Sequence, residues 1–220
     1  MAHWAFRKLA GMLAREGFHV FRFDYRGTGD SAGRTEDGDP SAWIDDVRAA
    51  AAELKDIAGV RAVSLVGMRL GASIAALACA GGLAVRELVL WEPVVNGARY
   101  LAELDVVDRR RNLLLLHPRA RNDGPRDELF GFPVTPAQRS AIEGIDLCRT
   151  GKVSARRVLI VAPDDDPQYA QLRDALAATH PEVQLEIVAD EGALDRSGRE
   201  VALLCNNILV AMTGALAHAR

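Results

Sequence analysis

The heptapeptide Val66-Gly67-Met68-Arg69-Leu70-Gly71-Ala72 sets one charged side chain between two glycines, where an apolar run gives way to a helical pattern. A strand that turns this sharply into a helix pushes its central side chain into a pocket, and glycines on either side allow the backbone segments to approach. The central group here is a guanidinium. It has no proton to lose near neutral pH and cannot form an acyl intermediate. It can hold a carboxylate or phosphate together with the helix N-terminus, with Met68 and Leu70 beside it. A structural arginine, paired with an acid of Asp164-Asp165-Asp166, is the competing reading. The two are compatible, because a paired guanidinium still presents N–H groups to a ligand. Glu92, in Trp91-Glu92-Pro93 at the end of an apolar run, either pairs with Arg69 or lines the same site.

Other chemistry-bearing residues read as structural. Asp164–Asp166 precede Pro167 and fit a solvated turn capping a helix better than a metal site. Asp24, Arg26 and Asp30 fit a turn network. Gly27-Thr28-Gly29 lacks the third glycine of a dinucleotide fingerprint. Ser73 lies one turn into the helix and fits core packing or a bond to the carbonyl four residues back. Cys79 is deeper on the same apolar helix and reads as core. His117, in Leu116-His117-Pro118, reads as a helix-end residue. Cys79, Cys148 and Cys205 have no metal-ligand spacing and read as free thiols of a reducing cytosol. No metal and no cofactor are expected.

These residues are positioned by alternating segments. Apolar runs predict strands over Phe18–Tyr25, Ala62–Val66, Glu87–Trp91, Arg157–Ala162 and Gln184–Ala189. A 3.6-residue period predicts helices over Ala2–Arg15, Pro40–Ile57, Leu70–Ala80, Pro167–Thr179 and Ser197–Ala217. Near-continuous apolar strands alternating with helices argue for an α/β fold, a parallel sheet covered on both faces. Asn96–Lys152 breaks the alternation. It shows no convincing strand, carries helical patterns at Ala98–Leu116 and Pro136–Cys148, and reads as a helical cap inserted into a single domain.

The 220 residues suit one domain, 49% hydrophobic and 26% charged. A net charge of -3 gives no electrostatic case for nucleic acid or an anionic membrane. No apolar run approaches the ~20 residues of a membrane span, and the amphipathic start is not a signal peptide.

Phe21-Arg22-Phe23-Asp24-Tyr25-Arg26-Gly27-Thr28-Gly29-Asp30-Ser31 and the Val66–Ala72 heptapeptide together resemble the α/β-hydrolase superfamily, nearest to serine aminopeptidase-like and exosortase-system-associated hydrolases. The resemblance places Arg69 where the nucleophilic serine of a G-x-S-x-G elbow stands. It places the triad acid at Asp164, Asp165 or Asp166. It places the histidine after the last strand, where Asp190-Glu191-Gly192-Ala193-Leu194-Asp195 has none. His3, His19, His117, His180 and His218 fall elsewhere. Loss of nucleophile and base together is coherent, since neither serves alone. The Leu70 N–H would be one oxyanion donor.

The resemblance also implies earlier strands, one of them normally between Phe18–Tyr25 and Ala62–Val66. Those runs would then pair directly, or a homo-oligomer or other partner would cover the exposed edge. The expected function is a cytoplasmic, non-catalytic binding or accessory protein, with Arg69 reading an anion. The alternatives are a hydrolase or acyltransferase with an atypical site and an N-terminally truncated piece of a longer hydrolase-like protein.

Overall fold

The computed structural model describes residues 2–114, 127–189 and 206–218. Helix α1 (Ala2–Arg15) and helix α2 (Pro40–Ala58) precede strand β1 (Leu65–Met68). Helix α3 (Leu70–Ala80) and strand β2 (Val85–Trp91) follow. After helix α4 (Gly97–Leu114) come a two-stranded hairpin, β3 (Glu128–Leu129) with β4 (Phe132–Pro133), and helix α5 (Pro136–Glu143). Strand β5 (Ala155–Ala162), helix α6 (Pro167–Ala177), strand β6 (Val183–Ile187) and helix α7 (Asn206–His218) complete the described chain.

The main sheet is parallel throughout, in the order β1-β2-β5-β6. Its central strands are buried on both faces, and the alternation of side chains sorts them. Leu88, Leu90, Val158 and Ile160 face Ala72, Ala75, Cys79, Leu172 and Leu176 from α3 and α6. Val89, Trp91, Leu159 and Val161 face Ala5, Leu9 and Leu13 of α1 and Ile208, Leu209 and Met212 of α7. This is the three-layer architecture that near-continuous apolar strands require. None of the described helices is long and apolar enough to cross a membrane. Burial pushes the Cys79 thiol up to about 12, so it is inert core, as its place on an apolar helix suggested.

The structure corrects several of the sequence expectations. Phe18–Tyr25 is not a strand: it runs past the sheet without joining it, and Val20, Phe21 and Phe23 stay exposed. An apolar run becomes a strand only where a neighbour accepts its backbone ladder, and β1 stands on that side with no partner among the described residues. The inserted segment does contain strand, the β3–β4 hairpin. It turns through Phe130 at φ 53 and Gly131 at φ 88, a left-handed pair that Phe-Gly does not advertise as Asn-Gly would. The inserted helices follow the expected pattern, but the second ends at Glu143, with a 3-10 turn at Leu147–Arg149 after it. Of the expected last helix, Asn206 onward is described, while 197–205 lie outside the described residues, as do His117 and residues 190–195, where the resemblance looks for the histidine.

The β1–α3 corner is set by Gly67. A Cβ there would stand 2.5 Å from the Gly71 carbonyl oxygen and from the Ala72 Cα. Gly71, expected to be needed for the same reason, is not: its Cβ would meet only the Tyr25 hydroxyl, at 3.8 Å. Gly67→Ala is therefore expected to cost about 3 kcal/mol or more. Gly71→Ala should be neutral or stabilise by up to about 1 kcal/mol through helix propensity. Urea unfolding of both variants checks this, and equal losses would contradict the assignment.

Candidate functional site

Arg69 occupies the corner between β1 and α3 with φ 54 and ψ -126. A non-glycine residue held there costs on the order of 1–3 kcal/mol, so the surroundings must enforce it. They do. The Arg69 N–H donates to the Trp91 carbonyl at 2.9 Å, and the Arg69 carbonyl accepts from Ala72 at 3.0 Å and Ser73 at 3.3 Å. Glu92, one residue past β2, is also left-handed at φ 46, and its N–H donates to the Val161 carbonyl at 2.7 Å. The two strained residues are thus carried on adjacent strand ends.

Their side chains meet. The Arg69 guanidinium donates from Nη1 to the Glu92 carboxylate. Its carbon lies 5.5 Å from the centroid of the Tyr100 ring, within cation–π range. The side chains retain 32% and 18% exposure respectively, so the pair is neither dry nor free in water. Burial works against the charge on Arg69, but Glu92, with Tyr100 and Tyr169, outweighs it and holds the guanidinium more firmly protonated than usual. Burial also raises the phenols of Tyr100 and Tyr169; Glu92 pushes both further and Arg69 opposes. Both hydroxyls are therefore protonated at neutral pH.

The acid loop is committed elsewhere. Asp166 caps α6 by accepting from the Gln168 N–H at 3.1 Å, and it pairs with Arg99 of α4 at 2.7 Å. Asp164 accepts from the Asp166 N–H at 3.2 Å and adds to the field on Tyr169. Asp165 is exposed. Arg69 takes its counter-ion from Glu92 rather than from this loop. Among the described residues no cluster of His, Cys, Asp or Glu is arranged to hold a metal.

Ser73 is fully buried, its hydroxyl donating to the Val94 carbonyl at 2.7 Å, so it does not reach the crevice. His180 is tied to the Ala155 carbonyl at 2.7 Å and His218 to the Gly214 carbonyl at 2.7 Å. Neither lines the Arg69 crevice. Asp24, Arg26 and Asp30 behave as a turn network: Arg26 forks onto Asp46, and the Asp30 N–H donates to Asp24 at 3.4 Å.

The crevice beside Arg69 measures about 30 Å³ and is walled by Glu92, Asn96, Arg99, Tyr100 and Tyr169. That is room for about one or two waters. Met68 ends β1 opposite Trp91, and Leu70 opens α3; the geometry brings Arg69 and Glu92 together but gives Met68 no place in the crevice wall. Tyr100, Arg99 and Tyr169 were missed in the sequence. Each lies in the first turn of its helix, just after a strand end, and that position was the available signal.

A family model described as serine aminopeptidase, S33, matches residues 2–160. The chain belongs to that family. The matched stretch includes both hydrolase-like motifs and the corner holding Arg69. It ends before the acid loop and before the position expected for a histidine. No match was found among curated proteins. Among solved structures the chain is similar to an esterase of Pyrococcus furiosus (TM-score 0.65, 15% identity, 97% of this chain and 73% of that one). It is also similar to Est1E of Butyrivibrio proteoclasticus, solved with ferulic acid bound (0.68, 18%, 98% and 82%). A third is the proline iminopeptidase of Mycobacterium smegmatis (0.64, 12%, 99% and 85%). At these identities the likeness is one of fold, the α/β-hydrolase fold.

The left-handed corner yields a stability prediction. Arg69→Gly should be more stable than Arg69→Ala by about 1 kcal/mol, because both lose the ion pair and only alanine keeps the backbone penalty. Parallel denaturant titrations measure the difference, and equal stabilities would contradict the strain.

Proposed function

We propose that this S33-family chain is a non-catalytic binding protein, in which Arg69 reads the anionic group of a small ligand. The observation that carries the reading is the guanidinium at the corner. A side chain with no ionisable proton near neutral pH stands where attack on a carbonyl would begin, and the described residues around it supply no imidazole. Only one guanidinium nitrogen is engaged by Glu92, and the side chain keeps 32% exposure, so N–H groups remain for a carboxylate or phosphate. The Glu92 carboxylate is an internal competitor for the same charge. A ligand must share Arg69 with it or displace it. The size of the crevice admits a compact anionic head group rather than an ester chain, unless the inserted helices move aside.

Thermal unfolding with acetate, benzoate or phosphate tests this reading. An anion at about a hundredfold its Kd should add about 2.7 kcal/mol, several degrees in a chain this size. The shift should vanish in Arg69→Ala and grow in Glu92→Gln, where the competitor is gone. Anions that stabilise wild type and Arg69→Ala equally would defeat the proposal.

The other reading, hydrolysis through an atypical site, draws on the family alone. On aryl esters and aminoacyl anilides, wild type should turn over no faster than Arg69→Ala. Arg69→Ser should also stay inactive, because a serine without a base is a poor nucleophile. Wild-type turnover well above Arg69→Ala would reverse the assignment.

A further inference from the structure

Tyr169 carries a polar group that the rest of the protein does not use. The residue is 4% exposed and belongs to the same core cluster as Leu172 and Leu176. Its backbone N–H donates to the Asp166 carbonyl at 3.0 Å, but its hydroxyl makes no hydrogen bond with any described residue. Hydroxyls of residues this buried are nearly always paired, so an open one calls for a cause. Among the described residues the sealed side-chain atom without a partner is Arg139 Nε. The Tyr169 oxygen is therefore not sealed, and the space that the residue lines is the Arg69 crevice. Glu92, Asp164, Arg69 and Asp166 are the charges that act on it there.

Two donors thus open onto one crevice of about 30 Å³. Arg69 spends one guanidinium nitrogen on Glu92, and the Tyr169 hydroxyl spends nothing. Together they match the two oxygens of a carboxylate, one taken by an N–H and the other by an O–H, both as charge-assisted bonds. The surrounding charge limits the occupant further. Arg99, the second guanidinium in the wall, is already committed to Glu103 at 2.9 Å and to Asp166 at 2.7 Å. Glu92, Glu103, Asp164 and Asp166 outnumber Arg69 and Arg99, so each further negative charge on a ligand meets repulsion. We infer that the crevice takes a monocarboxylate rather than a phosphate dianion, and that Tyr169 is its second binding residue, donating to the carboxylate oxygen that Arg69 does not take. This rests on the anion reading of Arg69 and adds to it the charge of the ligand and a reader from helix α6.

The test is a titration of the whole chain, followed by its amide NMR signals, with acetate, neutral acetamide and phosphate at pH 8. Wild type, Tyr169→Phe and Arg69→Ala are compared. Phenylalanine keeps the buried ring and removes only the hydroxyl. Wild type should bind acetate at least tenfold more tightly than phosphate or acetamide. In Tyr169→Phe the Kd for acetate should rise about tenfold or more, as for the loss of a hydrogen bond to a charged group. The thermal midpoint of ligand-free Tyr169→Phe should match wild type, because the hydroxyl gives up no bond within the protein. A lower midpoint would show that it already has a partner and would overturn the inference. Phosphate bound as tightly as acetate would overturn the ligand class. Acetate bound equally by wild type and Tyr169→Phe, but lost in Arg69→Ala, would overturn the role of Tyr169 and leave the reading of Arg69 standing. No acetate binding, or equal binding by all three proteins, would overturn both.

Discussion

Everything in the site depends on the contact between Gly67 and the first turn of α3. A Cβ at residue 67 would enter the Gly71 carbonyl and the Ala72 backbone, so strand and helix meet at a distance only glycine permits. That approach leaves one residue to turn the chain. Arg69 therefore takes a left-handed backbone, and its side chain points where β1 and β2 end together. Had a bulkier residue stood at 67, the corner would open and the guanidinium would lose both Glu92 and the Tyr100 ring.

A second strained residue stands beside the first. Glu92 leaves β2 at φ 46, beside the strand that carries Arg69. Backbone bonds lock both, through Arg69 to Trp91 and Glu92 to Val161. The electrostatics then converge on a charged but compensated site. Arg69 stays a cation, the tyrosines stay neutral donors, and Arg99 ties the inserted helix α4 to the acid loop at Asp166. In the proposed reading a ligand anion exchanges with Glu92 in this ion pair, and the guanidinium itself offers no nucleophile.

Much of this was legible in the residues. Apolar runs that need burial on both faces gave the parallel order, and the glycine-flanked arginine marked the corner. Glu92 was legible as a partner because it closes a strand that must neighbour β1. The failures have physical causes. Phe18–Tyr25 has the composition of a strand, but composition cannot reveal whether a neighbour accepts the ladder, and here β1 does not. The Phe130–Gly131 hairpin hid because its left-handed pair uses an aromatic residue. Tyr100 and Tyr169 could not be assigned to the crevice because their roles depend on how helices from different parts of the chain converge. Gly71 was over-read, since a motif treats both glycines alike while the structure crowds only one.

The central claim is that a partly free guanidinium occupies the corner, clamped by Glu92. Side-chain NMR of the arginine Nε–H and Nη–H groups tests this most directly, with Arg69 assigned by its disappearance in Arg69→Lys. One slowly exchanging arginine is expected, with signals that move on adding acetate and move further in Glu92→Gln, where the competing carboxylate is gone. An Arg69 signal exchanging as fast as those of surface arginines, and indifferent to acetate, would contradict it.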